Sequence, residues 1–141
     1  MNLALSDLDE LHAQLSMVRA FWLEEINSPG KNILYEWYSL GVMLQEIQKN
    51  IMDISSTIAT GENVFNPAWI EKIEKQIDRS QINKSSVIPS GNKLCASIHI
   101  ARAVCRRTEQ RMSEVVPSGC PSHLYIKRLS DYLLMISFLK K

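Results

Sequence analysis

Residues 33–58 read ILYEWYSLGVMLQEIQKNIMDISSTI. Within them Ile33, Trp37, Leu40, Leu44, Ile47, Ile51, Ile54 and Ile58 recur at alternating spacings of four and three. On an α-helix this spacing holds the apolar side chains on one face for about seven turns at 3.6 residues per turn. A strand would scatter them over both faces. A stripe that long has to be covered by other helices, so this stretch sets the expected class: an all-α bundle.

The same periodicity extends outward in both directions. Upstream, Ser6 is a candidate cap with Asp9 three residues on, and Leu8, Leu11, Leu15, Val18 and Trp22 make a helix over 6–26 that ends at Asn27-Ser28-Pro29-Gly30. Downstream, a break at Thr60-Gly61-Glu62-Asn63 leads to Asn66-Pro67, a cap followed by proline at the first helical position, and a short helix over 68–79. Residues 80–92 form one long polar loop containing Ser85-Ser86-Val87-Ile88-Pro89-Ser90-Gly91, of a length that in a compact bundle is often functional. A fourth helix carries Leu94, Ile98, Ala101, Cys105, Thr108, Met112 and Val115 and is stopped by Pro117-Ser118-Gly119. The last, over 122–138, buries Leu124, Leu129, Tyr132, Leu133 and Ile136. With no strand-like alternation or repeat, the expectation is an antiparallel five-helix bundle, a single domain over 1–141.

Composition narrows the function. Sixteen Lys+Arg against fifteen Asp+Glu give a net charge of +1, too little for a protein that seeks polyanions with its whole surface, so nucleic acid is not expected as a partner. The 45% of hydrophobic residues suffices for a self-supporting core, since a chain of 141 residues buries roughly two-thirds of its unfolded surface. The longest apolar stretch, Tyr132 to Leu139, is far shorter than the roughly 20 residues of a membrane-spanning helix. The N-terminus lacks a basic region and is acidic by Asp7, which points to a cytoplasmic protein. Cys95, Cys105 and Cys120 show no CxxC spacing and read as reduced thiols.

Chemistry is densest in His99-Ile100-Ala101-Arg102-Ala103-Val104-Cys105-Arg106-Arg107-Thr108-Glu109-Gln110-Arg111. Helical spacing puts Arg102, Arg106 and Glu109 on one ridge and leaves Arg107 and Arg111 on another. Guanidinium forks donate paired hydrogen bonds to phosphate oxygens, and a row of them one turn apart matches a polyphosphate. The competing reading is a solvated basic face paired with Glu109 and Glu114. On the final helix Lys127 and Asp131 are spaced as an i,i+4 pair beside Arg128. His12, His99 and His123 have no metal-binding spacing, so no metal site is expected, and neither common glycine-rich nucleotide loop is present.

Three segments, Ile88-Pro89-Ser90-Gly91, the His99 to Glu109 run and Arg128-Leu129-Ser130-Asp131-Tyr132-Leu133, together resemble the PduO-type ATP:cob(I)alamin adenosyltransferases. That family shows a loop like FILPSGG, a helix like HxARxVCRRAER and a helix like NRLSDYLF, in this order. The stretches MLQEIQKNIMDISSTIAT (43–60) and WIEKIEKQID (69–78), and Asp9-Glu10-Leu11, are also similar to the family's helices, so the likeness runs from Leu8 to Leu139.

The resemblance implies a ferritin-like five-helix bundle assembled as a homotrimer with active sites between subunits. It further implies transfer of the 5'-deoxyadenosyl group of ATP to the cobalt of cobalamin in its cob(I)alamin state, with Mg2+ and release of triphosphate. Carried over residue by residue, Arg106, Arg107, Glu109 and Gln110 contact the ATP phosphates and the Mg2+ environment, with Lys127 bringing a point charge near the triphosphate. Arg102 pairs with Asp9 of a neighbouring subunit, and Ser86, Val87 and Asp131 border the corrinoid. Lys127 stands where the family's motif has Asn, and Ser86 where its loop often has Phe. The family's polar loop resembling TRTGDxGxT, ahead of the Asp9 helix, has no counterpart in the eight residues before Asp9. Three functions follow as expectations: an adenosyltransferase, of full or reduced activity; a non-catalytic relative that keeps the trimer and binds a corrinoid or partner subunit; or an unrelated helical module whose basic helix binds an acidic partner.

Overall fold

Asn2, not Ser6, starts the first helix: its Oδ1 accepts from the backbone N–H groups of Ala4 and Leu5 at 3.0 and 3.4 Å. Capping from Asn2 adds almost a full turn to the expected element, because an Asn side chain ahead of the helix satisfies donors that Ser6, already inside it, cannot reach. The computed structural model describes residues 2–28, 35–78 and 92–138, with side chains in the second stretch from Tyr38 to Ile77. Among these residues there are five α-helices and no strand: α1 Leu3–Ile26, α2 Tyr35–Thr60, α3 Ala68–Asp78, α4 Lys93–Met112 and α5 Pro121–Ile136. Ile33, Leu139 and the loop residues Ser86, Val87 and Ile88 to Gly91 lie outside the described residues, as does the side chain of Trp37.

Facing positions set the directions. Gln48 on α2 donates to Ser16 on α1 at 2.7 Å, while Gly41 lies against Trp22, so α1 and α2 run antiparallel. Across α4 and α5, Cys95 faces Ser137, Cys105 donates to the Ile126 carbonyl at 3.3 Å and Glu109 meets His123, which is again antiparallel. The most extensive packing is α1 on α4, then α4 on α5. Leu40, Leu44, Ile47, Ile51 and Ile54 of the α2 stripe are buried, and each such side chain contributes roughly 1.5–3 kcal/mol of transfer free energy.

Polar groups inside this core are mostly matched. Asn50, fully enclosed on α2, donates to the Tyr125 hydroxyl at 3.1 Å and so ties α2 to α5. Phe65 in the α2–α3 link packs on the same tyrosine ring, 5.1 Å between centroids. Gly61 and Gly119, at φ 75° and 81°, take the left-handed turns that follow α2 and precede α5, a conformation that side chains with a Cβ resist.

Two sequence expectations shift at helix ends. α4 stops at Met112, with Val115 beyond it 49% exposed, so the seam ends one turn before the Pro117-Ser118-Gly119 signal. α5 starts at Pro121, whose missing N–H costs nothing in the first turn. This sets Tyr125 and Ile126 in the core and leaves Leu124 only half-buried. α3 begins as expected after Asn66, whose Oδ1 accepts from Ala68 N–H at 3.0 Å.

Candidate functional site

The Cys105 to Ile126 contact draws the middle of α4 onto α5. Burial pushes that thiol well above its ordinary range, with Glu109 adding to the effect, so Cys105 is packing rather than a nucleophile. On the solvent side of this contact the two helices frame an open groove of ≈ 260 Å³. Arg102, Arg106, Glu109 and Gln110 come from α4, at helical spacings of four, three and one; Lys127, Ser130 and Asp131 come from α5, at three and one.

The groove's charges divide in a specific way. Its two carboxylates both meet nitrogen-bearing side chains that do not line it. Glu109 Oε1 lies 2.9 Å from Nε2 of the buried His123, and Asp131 Oδ2 lies 3.6 Å from Arg128 Nη1. Arg128 is itself anchored to α3, its Nε donating to Glu74 at 3.0 Å. Asp131 therefore pairs one turn back with Arg128, not with Lys127 as the i,i+4 spacing suggested. Arg102, Arg106 and Lys127 have no ion pair among the described residues, and Arg102 Nε is enclosed without a hydrogen-bond partner. Three uncompensated cations over a polar floor suit a multivalent anion, whose oxygens supply the acceptors that these donors lack. His99, one turn before Arg102 and outside the groove's lining, is pushed below the ordinary imidazole range by burial and then by the Arg102 charge.

The second ridge of α4 has a different task. Arg107 Nε and Arg111 Nε lie 3.2 and 3.1 Å from the two oxygens of Asp7, a buried carboxylate on α1, and Arg107 also meets Glu10. The structure thus brings together Arg102, Arg106, Glu109, Gln110, Lys127 and Asp131 and sets Arg107 apart from them, against α1. Asp9 is exposed on α1 and does not line the groove. The solvated-face alternative named Glu109 and Glu114 as the partners of these arginines; the partners are instead Asp7 and Glu10 for one ridge, with none among the described residues for the other.

Sequence reasoning missed His123, Ser130 and Asp7. His123 and Glu109 sit symmetrically about the turn between two antiparallel helices, a juxtaposition legible once that hairpin is assumed. Asp7 interrupts the apolar face of Ala4, Leu8, Leu11 and Leu15, and an acid at such a position calls for a buried cationic partner. Among the described residues no three His, Cys, Asp or Glu side chains are grouped to hold a metal ion, and no helix is long and apolar enough to cross a membrane.

The fold and the groove together define an all-α helical bundle with a cationic cleft between two of its helices. The family model for cobalamin adenosyltransferase matches residues 3–139, and the chain belongs to that family. It is 30% identical to the corrinoid adenosyltransferases MMAB of Mus musculus and Homo sapiens over 88% of its own length, covering 56% and 54% of theirs. The corrinoid adenosyltransferase of Mycobacterium leprae is 31% identical over 67% of this chain and 60% of that protein. The chain thus spans little more than half the length of the curated relatives it matches. Among solved structures, a variant PduO-type ATP:corrinoid adenosyltransferase from Lactobacillus reuteri complexed with cobalamin and ATP superposes with a TM-score of 0.70 at 21% identity, over 95% of this chain and 76% of that one. Another variant of the same enzyme, complexed with ATP, gives 0.71. At this identity the superpositions establish the bundle fold.

Proposed function

We propose that this chain is a corrinoid adenosyltransferase that binds ATP in the groove between α4 and α5 and transfers its 5'-deoxyadenosyl group to the cobalt of cob(I)alamin. The observation that carries this reading is the convergence of Arg102, Arg106 and Lys127, unpaired among the described residues, in one groove of a chain that belongs to the cobalamin adenosyltransferase family. Cobalt(I) supplies the electron pair for the new bond to C5', the C5'–O bond breaks, and triphosphate leaves with its charge. No side-chain nucleophile is required. The chain's task is to orient the nucleotide and to hold the negative charge that grows on the departing oxygen. Arg106 serves that end through paired N–H donors, Arg102 helps build the site by pairing with Asp9 of a neighbouring copy, Lys127 adds a point charge, and Gln110 offers a neutral amide at the rim. Mg2+ binds with one or two carboxylates plus substrate phosphates in many nucleotide sites, and Glu109 and Asp131, the two carboxylates lining the groove, are the residues that would hold it and so help neutralise the phosphates. Ser86 and Val87 belong to the corrinoid side of this reading.

The same proposal includes a single helical domain over 1–141, a homotrimer with Asp9 of one subunit meeting Arg102 of the next, and residence in the cytoplasm. The deciding experiment is an assay of the purified chain with cob(I)alamin and MgATP under strong reductant, following the absorbance of adenosylcobalamin. Product formed in proportion to protein supports the enzyme. Binding of both substrates without product identifies a non-catalytic relative, and binding of neither removes the reading.

A further inference from the structure

Glu109 is one turn along α4 from Arg106 and two from Arg102, on the same ridge. A carboxylate so placed ordinarily pairs with the neighbouring guanidinium, which here would fill the groove's anion site from within. It does not do so: Glu109 Oε1 is taken by Nε2 of His123, at 2.9 Å, from the first turn of α5. His123 is 6% exposed and stands behind the groove rather than in its lining. Both of its ring nitrogens are enclosed without a well-aligned hydrogen bond, so the 2.9 Å contact of Nε2 with Glu109 is its one polar attachment among the described residues. An imidazole retained inside the helix junction, at a desolvation cost that an apolar residue would avoid, has its return in where it sets the carboxylate.

We propose that His123 is a positioning residue for anion binding: by holding Glu109 it keeps that carboxylate off Arg106, one turn away, and leaves that guanidinium free for a polyphosphate. Arg128 treats Asp131 in the same way on the opposite wall, so both acids of the groove are restrained from outside it. The inference rests on the phosphate reading of the groove and goes beyond it by assigning a residue that touches no ligand.

The test uses the full chain and inorganic triphosphate, with affinity read by calorimetry and folding by circular dichroism. His123→Leu, close in volume but without a donor, is expected to weaken triphosphate binding on the order of tenfold, about one charge-assisted hydrogen bond forfeited. His123→Gln, which retains an N–H donor, recovers most of the affinity. The discriminating variant is His123→Leu combined with Glu109→Gln: without a carboxylate to neutralise Arg106, binding returns to within about threefold of the parent. Glu109→Gln alone is measured beside it, because a merely structural histidine leaves the gain from Glu109→Gln the same with and without the imidazole, whereas positioning makes that gain several-fold larger in the His123→Leu background. Unchanged affinity in His123→Leu, or a double variant no better than the single one, overturns the inference while binding that is lost in Arg106→Ala keeps the phosphate reading intact. A parent chain that binds no triphosphate overturns both.

Discussion

Arg106 and Arg107 are adjacent in sequence and opposite in duty. Arg106 is exposed at the groove with no ion pair among the described residues, whereas Arg107 holds the buried Asp7 carboxylate together with Arg111. Arg106→Ala is therefore expected to cost roughly 2–4 kcal/mol of transition-state stabilisation in adenosyl transfer, with Arg106→Lys also impaired because the paired donors are lost, and neither should move the thermal midpoint. Asp7→Ala is expected to do the reverse. It strips Arg111 of its partner, leaves Arg107 with Glu10 alone and destabilises the α1–α4 contact by about 1–3 kcal/mol, less than a fully buried pair because solvent reaches both guanidiniums. Chemical denaturation beside steady-state kinetics separates the two; equal losses of stability in both variants would erase the distinction between ridges. His99 adds a dependence on pH. Its folded-state pKa lies below the ordinary 6.5, so the unfolded chain binds the proton more readily. The stability it contributes is present above the unfolded value and is lost as pH falls through the folded one. Melting curves taken between about pH 7 and pH 5 are expected to show a fall in midpoint that His99→Gln reduces, and an identical fall in that variant would assign the effect to other groups.

Among the elements, the crossing of α1 and α2 depends on Gly41. A glycine inside a helix normally costs about 0.5–1 kcal/mol relative to alanine, so Gly41→Ala would be stabilising on propensity alone. A Cβ at this position, however, meets Cζ2 and Cζ3 of Trp22 at 2.6 and 2.7 Å, and that ring is 9% exposed within the core. Overpacking of roughly 1–3 kcal/mol outweighs the propensity gain, and Gly41→Ala is expected to lower stability by a net 1 kcal/mol or more in urea titration. A rise in the denaturation midpoint would mean that α1 and α2 can separate freely. The stripe on α2 was legible because nothing but helical packing explains alternating threes and fours over that length. The helix ends were less so: Asn2 and Ser6 are both good caps, and only the docking of Ala4 and Asp7 on α4 selects the earlier one. Likewise the two ridges of α4 followed from spacing alone, while the side chains that restrain Glu109 and Asp131 depend on the register between α4, α5 and α3, which no local pattern encodes.

For the whole molecule the open question is what completes Arg102. Its Nε is enclosed and unpartnered within one chain, a state that costs about 1–3 kcal/mol for an unsatisfied donor and more for a charged one. The proposed homotrimer answers this by bringing Asp9, an exposed carboxylate on α1, from a second copy to the groove of the first. Light scattering is then expected to report three times 16.1 kDa at micromolar concentration. Asp9→Arg replaces an attraction with a repulsion at every such contact and should shift the assembly toward the monomer, whereas Arg102→Asp combined with Asp9→Arg re-forms the pair with its charges exchanged and should recover the larger mass. That recovery concerns association only, since an aspartate in the groove repels triphosphate and the double variant stays inactive. Because the swap restores a pair and not a fold, it distinguishes a contact between copies from a general loss of stability. A parent chain that runs as a monomer, or a swap that leaves the assembly dissociated, would show that Arg102 is completed by ligand alone.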